Sequence, residues 1–323
     1  MFRPYKSVDD DILSRMATSP YMHFTREEWR QYRGDTQLLL TEAELVTLRG
    51  FNESISIPEA EDIYLPLSRL LHLYVTETQS LHTTTNRFLH KSVPKVPYII
   101  GVSGSVAVGK STTSRILQTL LSRWPNHPKV DLVSTDGFLY PGKVLEAKGL
   151  MPRKGFPESY DRQALLQFLS DLKSGKENVS MPVYSHAVYD MTDEVVRIES
   201  PDIVIIEGLN ILQTGDISST RRVYASDFID FNIFVDAPTP IIKSWFLERF
   251  RAFREQARGR PDLFFYQFTS MPDDEAFAFA SHVWETVNAP NLEKNILPYK
   301  FRAELILEKG ADHGIEHVYL KKI

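Results

Sequence analysis

A lysine and a serine close a glycine-framed loop in the stretch "IIGVSGSVAVGKSTT". Within it, "GSVAVGKS", Gly104 to Ser111, matches the pattern G-x-x-x-x-G-K-[ST]. Backbone N–H groups of such a loop surround phosphate oxygens, the lysine neutralises the β- and γ-phosphates, and the hydroxyl is offered to Mg²⁺. The residues predicted to hold a nucleoside triphosphate are Gly104, Ser105, Val106, Ala107, Val108, Gly109, Lys110, Ser111 and Thr112.

Two carboxylates follow apolar runs at positions where a strand would end. Asp136 ends "VDLVSTD" and Glu207 follows the apolar residues of "PDIVIIEGLN". The carboxyl ends of parallel strands face the ligand crevice. There Asp136 would accept the proton of an acceptor hydroxyl, and Glu207 would serve Mg²⁺ directly or through water. The alternatives are a turn cap for Asp136 and a structural pair with a buried base for Glu207.

An aromatic cluster marks a candidate acceptor site. "PVYSHAVYD" brings Tyr184, His186 and Tyr189 into one short, extended segment. Each residue taken alone is more typical of a surface aromatic or a structural histidine. The cluster indicates a binding wall more strongly than its members do.

A helix rich in arginine and phenylalanine is predicted at "IIKSWFLERFRAFREQARGR". Arg249 lies within it, after the strand "FNIFVDA", from where a planar guanidinium could reach a transferring phosphoryl group. Phe246, Phe250 and Phe253 share one stripe, which is typical of core packing. The other arginines are predicted to form a solvated face: Arg251, Arg254 and Arg258.

The elements that position these residues follow from hydrophobic periodicity. Strands are predicted at "YIIGVSG", "KVDLVSTD", "DIVIIEG", "DFNIFVDA", "AELILEK" and "HVYLKK", and helices at "KSTTSRILQTLLSRW", "RQALLQFLSDLKSG" and "IIKSWFLERFRAFREQA". Their alternation predicts an α/β fold of the P-loop NTPase type, with a mostly parallel sheet flanked by helices. Residues 1–92 are predicted as a mostly helical N-terminal extension that contributes to the nucleotide site, and 93–323 as the kinase core.

Composition narrows the class of protein. The 323 residues carry a formal net charge of -5, which argues against nucleic-acid binding through phosphate contacts. The absence of cysteine removes disulfides, thiol nucleophiles and thiolate zinc sites. A bilayer span needs about 20 apolar residues, and Glu207 interrupts the run "IVIIEGLNIL". We expect a cytoplasmic enzyme that binds neither nucleic acid nor membrane.

Several longer strings resemble the bacterial type I pantothenate kinases, which are related to uridine kinase and phosphoribulokinase. They are "EDIYLPLSRLLHLY", "PYIIGVSGSVAVGKSTTSRILQTLLSRWP", "TDGFLYP", "KGFPESYD", "PVYSH", "PDIVIIEGLN" and "NILP". The resemblance implies phosphorylation of pantothenate by ATP and Mg²⁺, the first step of coenzyme A synthesis. By position it implies Asp136 as base, Lys110 on the γ-phosphate, and Arg249 on the transferring group. Ser111 and Glu207 would serve the magnesium.

The resemblance also assigns contacts outside the reacting groups. Tyr184, His186 and Asn288 match positions that bind pantothenate, and Tyr189 belongs to the same wall. Asn52 and His313 match residues that flank the adenine. Inhibition by coenzyme A is implied, with contacts from Arg115, His186 and Phe253. A homodimer is implied as well, with the helix after the P-loop as the expected interface.

The sequence departs from the family where acceptor-pocket tyrosines are expected. Phe246, Phe264 and Phe268 stand at these positions. The rings remain, but up to three hydroxyl groups are lost, each worth about 0.5–1.5 kcal/mol of binding where nothing replaces it.

Two other functions fit the P-loop. One is a kinase for another small alcohol, such as uridine or a sugar phosphate; a phosphate-bearing acceptor would require more basic residues near Tyr184 and Phe264 than the sequence places there. The other is a regulatory ATPase or GTPase switch, although the sequence has no N-K-x-D guanine signature.

Overall fold

A seven-stranded sheet forms the centre of the computed structural model, which describes residues 19–50, 53, 55–90, 94–124, 129–214 and 223–323. The strands are β1 Tyr21–Thr25, β2 Tyr98–Gly104, β3 Val130–Ser134, β4 Asn178–Ser185, β5 Asp190–Glu199, β6 Ile203–Gly208, β7 Phe231–Asp236, β8 Leu305–Lys309 and β9 Ile315–Lys321. The sheet order is β1-β9-β8-β7-β2-β6-β3, and β4 and β5 form a separate antiparallel hairpin.

The five strands from β8 to β3 are parallel, with the P-loop strand β2 between β7 and β6. The mostly parallel sheet is therefore confirmed, and each predicted core strand lies within about two residues of its predicted ends. Because β2 is central, the carboxyl ends of β3, β6 and β7 all lie beside the loop that follows it.

Helices cover the sheet. They are α1 Arg26–Trp29, α2 Glu42–Leu48, α3 Leu65–Phe88, α4 Lys110–Leu121, α5 Gly142–Ala147, α6 Arg162–Lys173, α7 Thr239–Gln256 and α8 Asp273–Val283. Single helical turns at Ile57–Glu59 and Ala289–Asn291, π-helical turns and 3₁₀ turns connect them. The capping boxes are present in the structure: Thr25 with Glu28 begins α1, and Thr41 with Glu44 begins α2.

The N-terminal extension is not purely helical. Residues 21–25, which were predicted within a mostly helical segment, form strand β1 and pair antiparallel with β9. The sequence of this five-residue segment does not indicate a strand by itself, because the strand forms by pairing with β9, which lies far away in the sequence. The N-terminal extension and the kinase core are not packed separately. Leu67 and Leu71 of α3 belong to the same hydrophobic cluster as Ile99 and Ile100 of β2.

Helix α4, which follows the P-loop, is enclosed by its own chain. It packs against β2, β3, β6 and the helices α2 and α3, and no residue from Lys110 to Leu121 is exposed. Several of its side chains stay partly exposed, and the expectation that this helix forms a dimer interface stays a prediction.

A smaller aromatic core lies beside α7 and α8. It contains Leu247, Phe250, Phe268, Ala276 and Ala280. Arg254 links α7 to the segment that leads into α8. Its buried guanidinium donates from Nε to the Phe268 carbonyl (2.8 Å) and from Nη1 to Asp273 Oδ1 (2.6 Å). The prediction that Arg254 belongs to a solvated face is wrong. Helical periodicity could not show that the segment from Phe268 to Asp273 folds over Arg254.

None of the helices in the described parts of the chain has the length and apolar character needed to cross a membrane.

Candidate active site

The P-loop joins β2 to α4 through a backbone that only particular residues tolerate. Gly104 has φ +145°, and a Cβ there would lie 2.3 Å from the Val235 carbonyl oxygen of β7. Gly109 has φ +101°, and a Cβ there would lie 2.7 Å from Lys309 Nζ. Ala107 has φ 62° and so adopts the left-handed region at a cost. The loop therefore lies tightly against β7 and β8, with its concave side left for a ligand.

Lys110 begins α4 and folds back over the loop. Its Nζ donates to the Ser105 carbonyl at 2.6 Å. Burial lowers the pKa of Lys110 to about 8, against the opposing attraction of Glu207 and Asp136. A desolvated cation held inside a phosphate-binding loop is arranged to receive an anion.

Glu207 and Ser111 meet at the end of β6. The Ser111 hydroxyl donates to Glu207 Oε1 at 3.0 Å. Glu207 Oε2 is buried and has no hydrogen-bond partner among the described residues. Burial raises the pKa of Glu207, opposed first by Lys110. In the part of the chain that the structure describes, Glu207 makes no ion pair with a buried base.

This pair fits a magnesium ion. A buried carboxylate oxygen without a partner is uncommon, and a hydroxyl with a carboxylate is the kind of oxygen donor set that Mg²⁺ shares with nucleotide phosphates. The described residues contain no cluster of three or more histidine, aspartate or glutamate side chains that could bind a metal alone. The site would thus supply two protein ligands, with phosphates and water completing the shell.

Asp136 lies in a 3₁₀ turn, Thr135–Phe138, directly after β3. Its carboxylate does not cap the turn, because the Ser134 hydroxyl accepts the Asp136 N–H instead. Oδ1 accepts a hydrogen bond from the Tyr160 hydroxyl at 3.3 Å. Oδ2 lies 3.8 Å from His186 Nε2. The cap interpretation is therefore not observed, and the carboxylate faces the same space as the acceptor wall.

Arg249 of α7 reaches this space from the other side. Its guanidinium carbon lies 5.1 Å from the centre of the Phe253 ring. Burial lowers the pKa of Arg249, and Glu53, Asp136 and Glu207 are the carboxylates that oppose the shift. The predicted catalytic set is thus brought within mutual electrostatic reach.

The acceptor wall is the tip of the β4–β5 hairpin. The segment 182–190 is extended as predicted, but it turns between Ser185 and Asp190 and continues as a second strand that the sequence did not indicate. The Tyr184 ring lies edge-on to His186 at 5.2 Å, and Tyr189 stacks on Phe264 at 4.4 Å. The ring cluster thus joins the hairpin tip to the segment after α7.

The three phenylalanines that replace expected tyrosines lie in different environments. Phe246 is partly buried against Trp284 at 5.6 Å, and Phe264 faces the hairpin. Phe268 is 8% exposed and lies behind Phe264 in the aromatic core. Asn288 is partly buried, and one turn later Asn291 donates to the Gly155 carbonyl at 2.9 Å.

The predicted base-binding residue His313 lies beyond the loop. It has φ 69°, and its ring stacks on Trp245 at 4.1 Å. Its buried Nδ1 has no hydrogen-bond partner among the described residues. Asn52, predicted to flank the adenine together with His313, lies outside the described residues.

Hydrogen bonds tie the N-terminal extension to the P-loop helix. The Gly50 N–H donates to Thr112 Oγ1 at 2.7 Å, and Arg115 Nε donates to the Leu48 carbonyl at 2.6 Å. Arg115, predicted to contact coenzyme A, therefore already holds the end of α2. Phe253, predicted for the same inhibitor, stacks on Phe265 at 5.0 Å.

Sequence reasoning missed four polar residues around these groups. Lys154 Nζ lies 3.9 Å from the centre of the Tyr189 ring, and burial lowers the pKa of Lys154. Lys309, 5% exposed, donates to the Val108 carbonyl of the P-loop at 3.3 Å. Glu53 has a buried oxygen beside the loop that finds no hydrogen-bond partner among the described residues, and the Tyr160 hydroxyl donates to Asp136. Of these four residues, Lys154 and Tyr160 lie in a string that resembles the family, "KGFPESYD", whereas nothing in the sequence pointed to Lys309 or Glu53.

A cavity of about 900 Å³ lies elsewhere, between the second half of α3 and the start of β2. Its lining includes His82, Arg87, Lys95, Lys173 and Asp230. It lies at the amino end of β2, and none of the residues predicted for the active site lines it.

Comparisons with known proteins agree with this geometry. The profile of the phosphoribulokinase / uridine kinase family matches residues 99–261. Curated pantothenate kinases from Coxiella burnetii (strain Dugway 5J108-111) and Brevibacillus brevis are each 54% identical to the chain, covering 94% of it and 97% of the relative. The solved D-glycerate 3-kinase of Cryptococcus neoformans shares the fold, with a TM-score of 0.50 and 16% identity over 77% of this chain and 97% of that one. The chain therefore belongs to the pantothenate kinase family, within the phosphoribulokinase / uridine kinase family.

Proposed function

We propose that the protein transfers the γ-phosphoryl group of ATP to the primary hydroxyl of pantothenate, giving 4'-phosphopantothenate, the first intermediate of coenzyme A synthesis. The observation that carries the proposal is the position of Asp136, which faces the aromatic hairpin and lies within electrostatic reach of Lys110 and Arg249. A base, a phosphate loop and an acceptor wall thus share one cleft.

In the proposed reaction the chain mainly positions groups and stabilises charge, as phosphoryl transfer requires. The loop from Gly104 to Thr112 holds the phosphates through its N–H groups. Asp136 accepts the acceptor's proton. Lys110 and Arg249 stabilise the charge on the transferring group, usually the largest contribution to such catalysis.

Ser111 and Glu207 are the residues proposed to hold the magnesium ion. When bound, the ion supplies charge neutralisation at the phosphate oxygens. Their hydrogen bond and the unpartnered Glu207 Oε2 support this assignment.

Pantothenate is proposed to lie along the hairpin, against Tyr184, His186 and Tyr189, with Asn288 at its far end. Phe246, Phe264 and Phe268 keep this side apolar. Because phenylalanines stand where tyrosines are expected from the family, the pocket keeps the rings but lacks their hydroxyl groups. Contacts to the pantothenate chain therefore depend more on ring packing and less on hydrogen bonds.

Three further properties belong to the proposal. Residues 1–92 complete the nucleotide side, with Asn52 and His313 flanking the adenine; the bonds from Gly50 and Leu48 to α4 support this. Coenzyme A inhibits through Arg115, His186 and Phe253. The protein is a homodimer, with α4, the helix after the P-loop, as the proposed interface.

The test is ADP release with ATP and Mg²⁺, measured without acceptor, with pantothenate, and with uridine. Pantothenate-dependent release is expected from the wild type. Asp136→Ala is expected to abolish it while ATP binding, followed by calorimetry, stays nearly intact, because Asp136 acts on the acceptor. Release with uridine alone would point to another alcohol kinase, and release that needs no acceptor would favour a nucleotide-hydrolysing switch. Equal loss of binding and turnover would remove Asp136 from the role of base.

A further inference from the structure

The two carboxylate oxygens of Asp136 are not equivalent. Oδ1 accepts the hydrogen bond from the Tyr160 hydroxyl at 3.3 Å. Oδ2 lies 3.8 Å from His186 Nε2, which is beyond hydrogen-bond distance. One oxygen is therefore engaged by the protein, and the other faces the cleft beside the hairpin tip.

Tyr160 is held where a donor to Asp136 must be. Its side chain is 7% exposed. Its segment is joined to the chain after Asp136 on both sides: the Tyr140 N–H donates to the Ser159 carbonyl at 2.9 Å, and the Asp161 N–H donates to the Phe138 carbonyl at 2.7 Å. These bonds hold the two backbone segments side by side, and the burial of the Tyr160 side chain keeps its hydroxyl next to Asp136.

The Tyr160 hydroxyl acts as a hydrogen-bond donor to Asp136. Burial, with the negative charge of Asp136 as the next cause, raises the pKa of Tyr160 well above its usual range. The phenol therefore stays protonated near neutral pH, and it donates to the carboxylate.

We propose that Tyr160 is a positioning residue that fixes Asp136 through Oδ1 and leaves Oδ2 as the oxygen that takes the acceptor's proton. This inference rests on the proposed function, in which Asp136 is the base. The acceptor O–H bond breaks and its proton goes to Oδ2. The acceptor oxygen forms a bond to the γ-phosphorus, and the bond from that phosphorus to the bridging oxygen breaks, with its electron pair leaving on ADP.

A double-mutant cycle tests the proposal. Tyr160→Phe keeps the ring and removes the donor, and it is expected to lower kcat about tenfold to a hundredfold, as for loss of a hydrogen bond to a charged group. The KM values for ATP and pantothenate are expected to stay within about twofold, because the hydroxyl acts through Asp136 and not on either substrate. In an Asp136→Asn background, Tyr160→Phe is expected to change the small residual kcat, measured at high enzyme concentration, by less than about twofold, since the group it positions no longer accepts the proton.

A matched control separates positioning from general loss of packing. Tyr21 is a buried tyrosine whose hydroxyl donates to the Ala303 carbonyl at 2.5 Å, on the other edge of the sheet. Tyr21→Phe removes the same group and is expected to leave kcat unchanged. Calorimetric ATP binding by each variant confirms that it is folded.

The outcomes are distinct. An unchanged kcat in Tyr160→Phe, or a loss that repeats in full in the Asp136→Asn background, overturns the positioning role while the proposed function stands. Wild-type protein without pantothenate-dependent turnover overturns the proposed function, and the assignment to Tyr160 falls with it.

Discussion

Nucleotide binding is expected to take up a proton at Lys110, and the structure gives the size of the effect. Burial holds the pKa of the free lysine at about 8. A bound phosphate favours the charged form and returns the pKa to the ordinary lysine range, about 10.4. With these values the uptake per nucleotide is about 0.1 proton at pH 7, about 0.5 at pH 8 and about 0.9 at pH 9. The affinity for MgADP is then expected to fall about tenfold from pH 7 to pH 9.

Titration calorimetry measures this uptake directly. MgADP is titrated at pH 8.5 in buffers with different ionisation enthalpies, and the slope of the observed heat against buffer enthalpy gives the protons exchanged. Lys110→Arg is the matched control, because arginine stays charged at this pH and has no proton to gain. An observed heat that does not depend on the buffer in the wild type would refute the reasoning. Equal uptake in Lys110→Arg would assign the proton to another group.

Two further substitutions test the metal site and the aromatic core. Glu207→Gln preserves a hydrogen bond with Ser111 but removes the charge, so the Mg²⁺ concentration for half-maximal turnover is expected to rise at least about tenfold; unchanged metal dependence would contradict the assignment. Arg254→Met removes the guanidinium hydrogen bonds to the Phe268 and Met271 carbonyls and to Asp273, and it is expected to lower the free energy of unfolding by about 2–4 kcal/mol in urea melts. The exposed Arg251→Met on the same helix is expected to change it by less than about 0.5 kcal/mol.

Local patterns explain why much of the kinase core could be predicted. The loop from Gly104 to Ser111 combines a motif, a preceding apolar strand and a following amphipathic helix, all within one short segment. Asp136 and Glu207 follow the same logic, because each ends a strand whose apolar run is visible in the sequence. In each case the signal and the structure that it predicts lie within about ten residues.

What could not be predicted depends on partners that are distant in the chain. Arg254 looks solvated on its helix until the segment ending in Phe268 folds over it. The bond between Tyr160 and Asp136 requires two loops to meet, and the lysine Lys309 reaches the P-loop from the end of β8.

The pairing of β1 with β9 constrains when the protein can complete its fold during synthesis. The first strand of the described chain finds its partner only in Ile315–Lys321, so the pair cannot form before these residues have been synthesised. Until then Tyr21–Thr25 carries unpaired backbone N–H and C=O groups, as an open edge does. Ribosome-bound chains are therefore expected to keep this edge available to chaperones or to other nascent chains, and a stop codon before residue 315 would leave it open permanently.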